Sequence, residues 1–236
     1  MCGRFTLRTP LRQVADAFDL APTAIVGEEW RSRYNIAPTQ QVLVVRESPS
    51  SGERELVPLH WGLIPRWADD PAIGGRMINA RSETLAEKPA FREAFRKRRC
   101  LIVADGFYEW RQGAKPKQPY YIHLKQDGPF AFAGLWEHWQ HGELVINSCT
   151  IVTAEANDLL RPLHDRMPVV LPPEAYARWL DEDLQQSDEL APLLKPFPSE
   201  AMTMHPVSTA VNSARREGPE LIATSAPLKT QGTLFD

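Results

Sequence analysis

The sequence predicts an α+β fold dominated by antiparallel sheet. Three observations carry that prediction. Short β-branched apolar runs recur from residue 41 to residue 171. Turns bearing proline or glycine separate them, and segments with helical periodicity are few and short. No internal repeat interrupts the pattern.

The elements follow in order. Residues 11–20, LRQVADAFDL, place Leu11, Val14, Ala15 and Phe18 on one helical face, with Thr9-Pro10 as a capping residue and proline start signal. Arg33 to Pro38 is a short segment stopped by proline. QVLVVRES (41–48) and ELVPLHWGLI (55–64) read as paired strands about the turn Pro49-Ser50-Ser51-Gly52. Residues 65–71 read as loop. KPAFREAFRKRR (88–99) reads as a basic helix with Phe91 and Phe95 facing inward. CLIVADGFYEW (100–110) reads as a strand ending in a glycine-containing turn. PYYIHL (119–124) and FAFAGLWEHW (130–139) read as a hairpin through Gln126-Asp127-Gly128. LVINSCTIVTAEAN (144–157) is a long strand, residues 163–171 turn into another, and residues 173–184 read as a helix opened by proline. The domain is expected over residues 1–222, with 223–236 as a flexible tail.

Composition narrows the function classes. The chain has 236 residues, is 43% hydrophobic and 24% charged, and carries a net charge of −3. These are ordinary globular values and not the overall signature of a nucleic-acid binder. Charge is uneven: Arg4, Arg8 and Arg12 cluster, as do Arg92, Arg96, Lys97, Arg98 and Arg99, while residues 174–200 are rich in acids. Without a long apolar run or a secretory signal, the expected place is the cytoplasm, with no membrane contact. Three cysteines at long spacings argue against a disulfide framework and a zinc site, and Cys100 and Cys149 read as buried core thiols. No metal or cofactor is expected.

Chemistry concentrates at Met1-Cys2-Gly3-Arg4-Phe5. Removal of Met1 would leave Cys2 with an α-amine and a thiol on one residue. Such a 1,2-aminothiol condenses with an aldehyde: the amine forms an imine, and the sulfur then closes a five-membered thiazolidine with the advantage of a tethered nucleophile. An α-amine of pKa about 8 and a thiol of about 8.5 are both partly nucleophilic at neutral pH. Lipidation does not explain the cysteine, since no apolar run precedes it and the glycine stands one position late for myristoylation.

Four blocks in order, MCGRF, Asn79-Ala80-Arg81-Ser82-Glu83-Thr84, Ala104-Asp105-Gly106-Phe107-Tyr108-Glu109-Trp110 and Leu163-His164-Asp165-Arg166-Met167-Pro168, resemble the SOS-response-associated peptidase (SRAP) family over nearly the whole chain. The resemblance implies a pseudo-barrel of bent sheets and a protein that shields abasic sites in single-stranded DNA, with Cys2 capturing the ring-opened sugar aldehyde. It implies that Glu109 assists ring opening and proton transfer, although the local sequence suggests a solvated turn glutamate. His164 would stabilise the opened sugar and Asn79 would hold its hydroxyls. Arg4 and Arg81 would grip flanking phosphates, with Thr153 and Arg166 as weaker candidates. Trp67 and Pro38 are nominated as strand-contact or wedge residues, and recognition should be sequence-tolerant and salt-sensitive, because a lost base leaves nothing to read.

The chain closes on Gln231-Gly232-Thr233-Leu234-Phe235-Asp236. Gln231, Leu234 and Phe235 resemble the short peptides with which bacterial replication and repair proteins dock on the polymerase sliding clamp. The expected setting is a monomer at damaged forks of the nucleoid. Two alternatives belong to other classes: a thiol peptidase using Cys2, including self-removal of Met1, and a non-covalent reader of modified DNA.

Overall fold

The computed structural model describes residues 2–21, 30–112 and 116–228. Thirteen strands and four short α-helices are formed among them. The first strands are β1 (Phe5–Leu7), β2 (Arg33–Ile36), β3 (Gln41–Glu47), β4 (Arg54–Trp61) and β5 (Asn79–Arg81). They are followed by β6 (Arg99–Ala104), β7 (Gly106–Trp110), β8 (Pro119–Leu124), β9 (Phe130–His141) and β10 (Leu144–Glu155). Last come β11 (Arg166–Pro168), β12 (Val170–Leu171) and β13 (Met202–Pro206). The helices are α1 (Leu11–Ala17), α2 (Arg92–Lys97), α3 (Tyr176–Leu180) and α4 (Ser187–Leu190).

One sheet runs β13-β8-β7-β1-β2 and the other β11-β10-β4-β3-β6-β9-β12, with β5 beside β10. Because β9 also pairs with β10, strands β10, β4, β3, β6 and β9 return on themselves as a closed ring. This is the barrel-like α+β architecture expected from the strand-rich pattern. Pairing is antiparallel except where β10 meets β4 and β5.

The two sheets share one core, and aromatic rings fill it. Phe5, on β1, meets Trp61 at 5.1 Å and Phe132 at 5.8 Å edge-on, and both of those belong to the other sheet. Phe107 and Phe130 pack on Phe132 in the same manner. Edge-on rings place a positive rim against a negative face, so each pair contributes about 0.5–1.5 kcal/mol beyond its burial. Phe5, Thr6 and Leu7 are all fully buried, which makes the start of the chain a central strand rather than a loose terminus.

Several local expectations are corrected. The Gly106 stretch is no terminal turn: at Asp105 the chain leaves β6 in the ring and continues as β7 in the other sheet. Gly106 is needed there because a Cβ would meet the Tyr121 hydroxyl at 2.0 Å. Residues 119–124 and 130–141 do not form a hairpin, since β8 pairs with β7 and β13 while β9 pairs with β6, β10 and β12. Turn residues between two strand-like runs do not say which sheet each run joins. Thr9 does not cap α1, whose N-cap is Pro10 without a side-chain bond; its hydroxyl donates to Asp105 instead.

The basic cluster at 92–99 is also divided. Arg99 lies in β6, 3% exposed, and its guanidinium donates to the carbonyls of Phe95, Arg96, Trp179 and Asp181. Arg98 pairs with Glu137 at 2.9 Å. Cys100 and Cys149 are buried and unbridged, as expected of core thiols. No helix among the described residues is long and apolar enough to cross a membrane.

Asp105 fastens the corner between the sheets to β1. Its buried carboxylate accepts from Thr6 Oγ1 at 2.6 Å, from the Arg8 and Thr9 amides at 2.7 and 2.9 Å, and from Thr9 Oγ1 at 2.8 Å. Asp105→Ala should lower unfolding free energy by about 3–5 kcal/mol, because it strands these donors. A urea midpoint unchanged from the parent protein would contradict this.

Candidate functional site

The strands converge on the residues just before β1. Asn79 opens β5 and its Nδ2 donates to the Cys2 carbonyl oxygen at 2.8 Å. The Asn79 Oδ1 is buried and accepts no hydrogen bond from the described protein. Glu109 projects from β7, next to β1, and is 3% exposed. It is therefore a buried strand carboxylate, not the solvated turn residue that the local sequence suggests; a turn assignment there fails because β7 continues past Gly106 to Trp110.

Cys2 has no exposed surface. Burial pushes its thiol up to about 12, and the charge of Glu109 pushes in the same direction. A thiolate in this setting loses hydration and faces a carboxylate, and both effects favour the neutral form. The Sγ–H has the Arg4 carbonyl at 3.7 Å as its partner.

Above these groups lies an open pocket of about 620 Å³ lined by Gly3, Arg4, Glu109, Trp110, Gln112, Lys117, His164 and Asn212. His164 Nδ1 stands 3.0 Å from the Arg166 amide nitrogen and 2.6 Å from Asp165 Oδ1. Beside the pocket is a groove of about 410 Å³ lined by Arg81, Glu155, Ala156, Arg161, Asp165 and Arg166.

Cys2, Asn79, Glu109 and His164, distant in the chain, are thus brought to one place, with Arg4 beside them. Arg81 and Arg166 lie in the adjoining groove. Arg166 is held by both Glu83 oxygens, at 2.7 and 2.9 Å, and by the Thr153 carbonyl. Thr153 itself is fully buried, and its hydroxyl donates to the Ala80 carbonyl. Trp67 is 59% exposed on its loop. Pro38 is half-buried in a turn where Thr39 takes a φ of +70°, a left-handed conformation unfavourable for a β-branched residue. Neither Trp67 nor Pro38 lines the pocket or the groove. Gln231, Leu234 and Phe235 lie outside the described residues. Among the described residues no three His, Cys, Asp or Glu side chains are grouped to hold a metal ion.

Sequence reasoning missed Asn35. This fully buried side chain accepts from Arg4 Nη1 at 2.7 Å and donates to the carbonyls of Val211, Ser213 and Arg216. Arg4 Nη1 also donates to the Val211 carbonyl at 2.7 Å. One asparagine thereby sets both the Arg4 guanidinium and the 211–216 segment that walls the pocket. The available signal was a polar side chain within the short segment that Pro38 stops.

Residues 1–214 match the family model described as SOS response associated peptidase (SRAP). The chain is 43% identical over 224 residues to the abasic site processing protein YoaM of Bacillus subtilis, covering 94% of this chain and 97% of that relative. It is 33% identical over 229 residues to the abasic site processing protein YedK of Escherichia coli, covering 94% and 99%. A crystal structure of a protein from Bacteroides thetaiotaomicron superposes with a TM-score of 0.81 at 26% identity, covering 95% of this chain and all of that one.

The buried thiol sets an expectation for the chain that retains Met1. Burial holds the Cys2 thiol well above the ordinary thiol range, so very little of it is ionised at pH 8. Glu109→Gln removes a charge that opposes ionisation, so the pH profile of Cys2 carboxymethylation, read by peptide mass, should move to lower pH. An unmoved profile would dissociate Glu109 from the thiol.

Proposed function

This chain belongs to the SOS response associated peptidase family, and we propose that it processes abasic sites in single-stranded DNA by covalent capture through a processed Cys2. What carries the reading is that Asn79 bonds to the Cys2 carbonyl, that the Glu109 charge acts on the buried Cys2 thiol, and that Glu109 and His164 line one pocket. The names of its relatives support the lesion.

In the proposed chemistry, loss of Met1 replaces a neutral amide with an ammonium three bonds from the sulfur. That charge counters the Glu109 field and lowers the thiol pKa, while the amine itself gives up a proton near neutrality. The amine attacks C1′ of the ring-opened sugar, and the carbinolamine loses water to an imine. The sulfur then adds to C1′, its proton passes to the nitrogen, and the thiazolidine closes with one water released. Glu109 takes and returns these protons. His164, which lines the pocket, donates to the sugar oxygen as the ring opens. Asn79 is fixed through Nδ2, so its Oδ1 is an acceptor for the Cys2 ammonium or a sugar hydroxyl. Satisfying that buried oxygen is worth about 1–3 kcal/mol.

Arg4 offers a cation at the same mouth. Burial lowers its pKa, and its Asn35 and Val211 bonds fix its direction. A desolvated, oriented guanidinium gains more from a phosphate than a solvated one does. The tail is proposed, on its sequence alone, to dock on a sliding clamp, and the protein to act as a monomer. Removing residues 231–236 should abolish binding to purified clamp, while sedimentation should give one chain per particle.

A denaturing gel tests the chemistry. An abasic single strand should give a stable adduct with the processed protein, absent in Cys2→Ala and in protein whose α-amine is blocked but whose thiol is kept. Adduct surviving the amine block would favour a thiol-only nucleophile, as in a peptidase. Complex formation without any adduct would favour a non-covalent reader. Adduct formation should also fall with rising salt, by about 0.7 in log–log slope per phosphate gripped.

A further inference from the structure

We infer that the pocket takes free short-chain aldose phosphates as covalent ligands, which occupy Cys2 in place of the lesion. The inference rests on the capture reading above and deepens it by naming a second class of substrate for the same site. A lost base leaves the sugar carbonyl and its phosphates as the groups that reading uses. A soluble phosphorylated aldehyde carries both without a strand.

The cavities admit such a ligand. The open pocket of about 620 Å³ falls within the range of small-molecule sites, about 300–1,000 Å³. The groove with Arg81 and Arg166 is a separate cavity, so a ligand without flanking nucleotides needs only the pocket. Gly3 and Arg4 line the pocket and follow Cys2 directly, so the carbonyl trap and a cation share one stretch of backbone. The Arg4 carbonyl oxygen stands 3.7 Å from Cys2 Sγ.

The Arg4 cation is held from within the fold. Its Nη1 donates to Asn35 Oδ1 and to the Val211 carbonyl, each at 2.7 Å, and its Nη2 to the Asn212 carbonyl at 3.4 Å. Asn35 is fully buried and is itself bonded to the carbonyls of Val211, Ser213 and Arg216. All three acceptors of Arg4 are neutral, so they fix the guanidinium without cancelling its charge. A guanidinium has five N–H groups, so two remain for phosphate oxygens.

The chemistry balances without an oxidant or reductant. The Cys2 amine adds to the aldehyde carbon, and the carbinolamine loses water to an imine. The sulfur adds to the imine carbon, its proton goes to nitrogen, and the thiazolidine closes. The protein gains the mass of the aldehyde less one water. Glu109 and His164 line the same pocket and serve the same proton transfers as for the strand.

Glyceraldehyde 3-phosphate and glyceraldehyde form the test pair, since they differ by the phosphate. Capture is read as intact mass of the processed full chain, and the dipeptide Cys-Gly supplies the rate ratio in the absence of a pocket. The protein should favour the phosphate by about tenfold more than the dipeptide does, the effect of a charge-assisted hydrogen bond. Arg4→Gln should bring the ratio down to that of the dipeptide, and saturating inorganic phosphate should do so without any substitution. Prior treatment with 2-deoxyribose 5-phosphate should block adduct formation on an abasic strand in proportion to the mass-shifted fraction. A ratio equal to the dipeptide's, or one unmoved by both Arg4→Gln and inorganic phosphate, would overturn the inference. An adduct on the abasic strand in that same preparation would leave the single-strand reading standing. Phosphate-dependent capture of the small aldehyde with no adduct on the strand would sink that reading and leave the inference in place.

Discussion

The pocket depends on β1 being an internal strand. A chain terminus ordinarily frays, because few contacts offset the entropy of ordering it. Here Phe5 is driven into the aromatic core shared by both sheets, and β1 is hydrogen-bonded on one side to β2 and on the other to β7. Asp105 then locks the far end of the strand through four donors. Cys2, Gly3 and Arg4 are left with little choice of direction. In the proposed chemistry the nucleophile is therefore carried by the residues that lead directly into a buried strand.

The same insertion creates an electrostatic problem. A thiol carried into the interior beside Glu109 resists ionisation, so position alone does not make Cys2 reactive. In the proposed chemistry the missing charge comes from the residue itself, as the ammonium exposed by processing. Reactivity then appears only when the chain start is mature, and a carboxylate that suppresses the thiol beforehand becomes the proton acceptor afterwards. The buried Asn79 Oδ1 points the same way, since a buried acceptor without a donor is unfavourable until one arrives.

The basic residues divide by what holds them. Arg98 and Arg99, close to α2 in sequence, are spent inside the fold, on Glu137 and on backbone carbonyls. Arg4 at the pocket is likewise bonded to backbone carbonyls and also to the neutral Asn35, which orient it without pairing its charge. Oriented cations left unneutralised on a mildly acidic protein give a local surface that a polyanion can use.

Strand periodicity located most of the sheet segments, because alternation and β-branching are written residue by residue. The β3–β4 pair and the long β10 could be read this way. The wrong hairpin between residues 119 and 139 shows the limit, since local pattern does not encode which sheet a strand joins. Arg99 and Glu109 were misplaced for a related reason. A charged side chain reads as exposed until its partners, here carbonyls from Phe95 to Asp181 and a strand wall beside β1, come from far along the chain. By itself the sequence determined the reactive residue types, Cys2, Asn79, Glu109 and His164, because their chemistry resides in the side chains. Only the tertiary structure decided that they come together, that the thiol is buried, and that Asn35 sets Arg4 and the 211–216 segment. Distance, dielectric and hydrogen-bond partners are properties of packing between segments, and no local stretch of chain contains them.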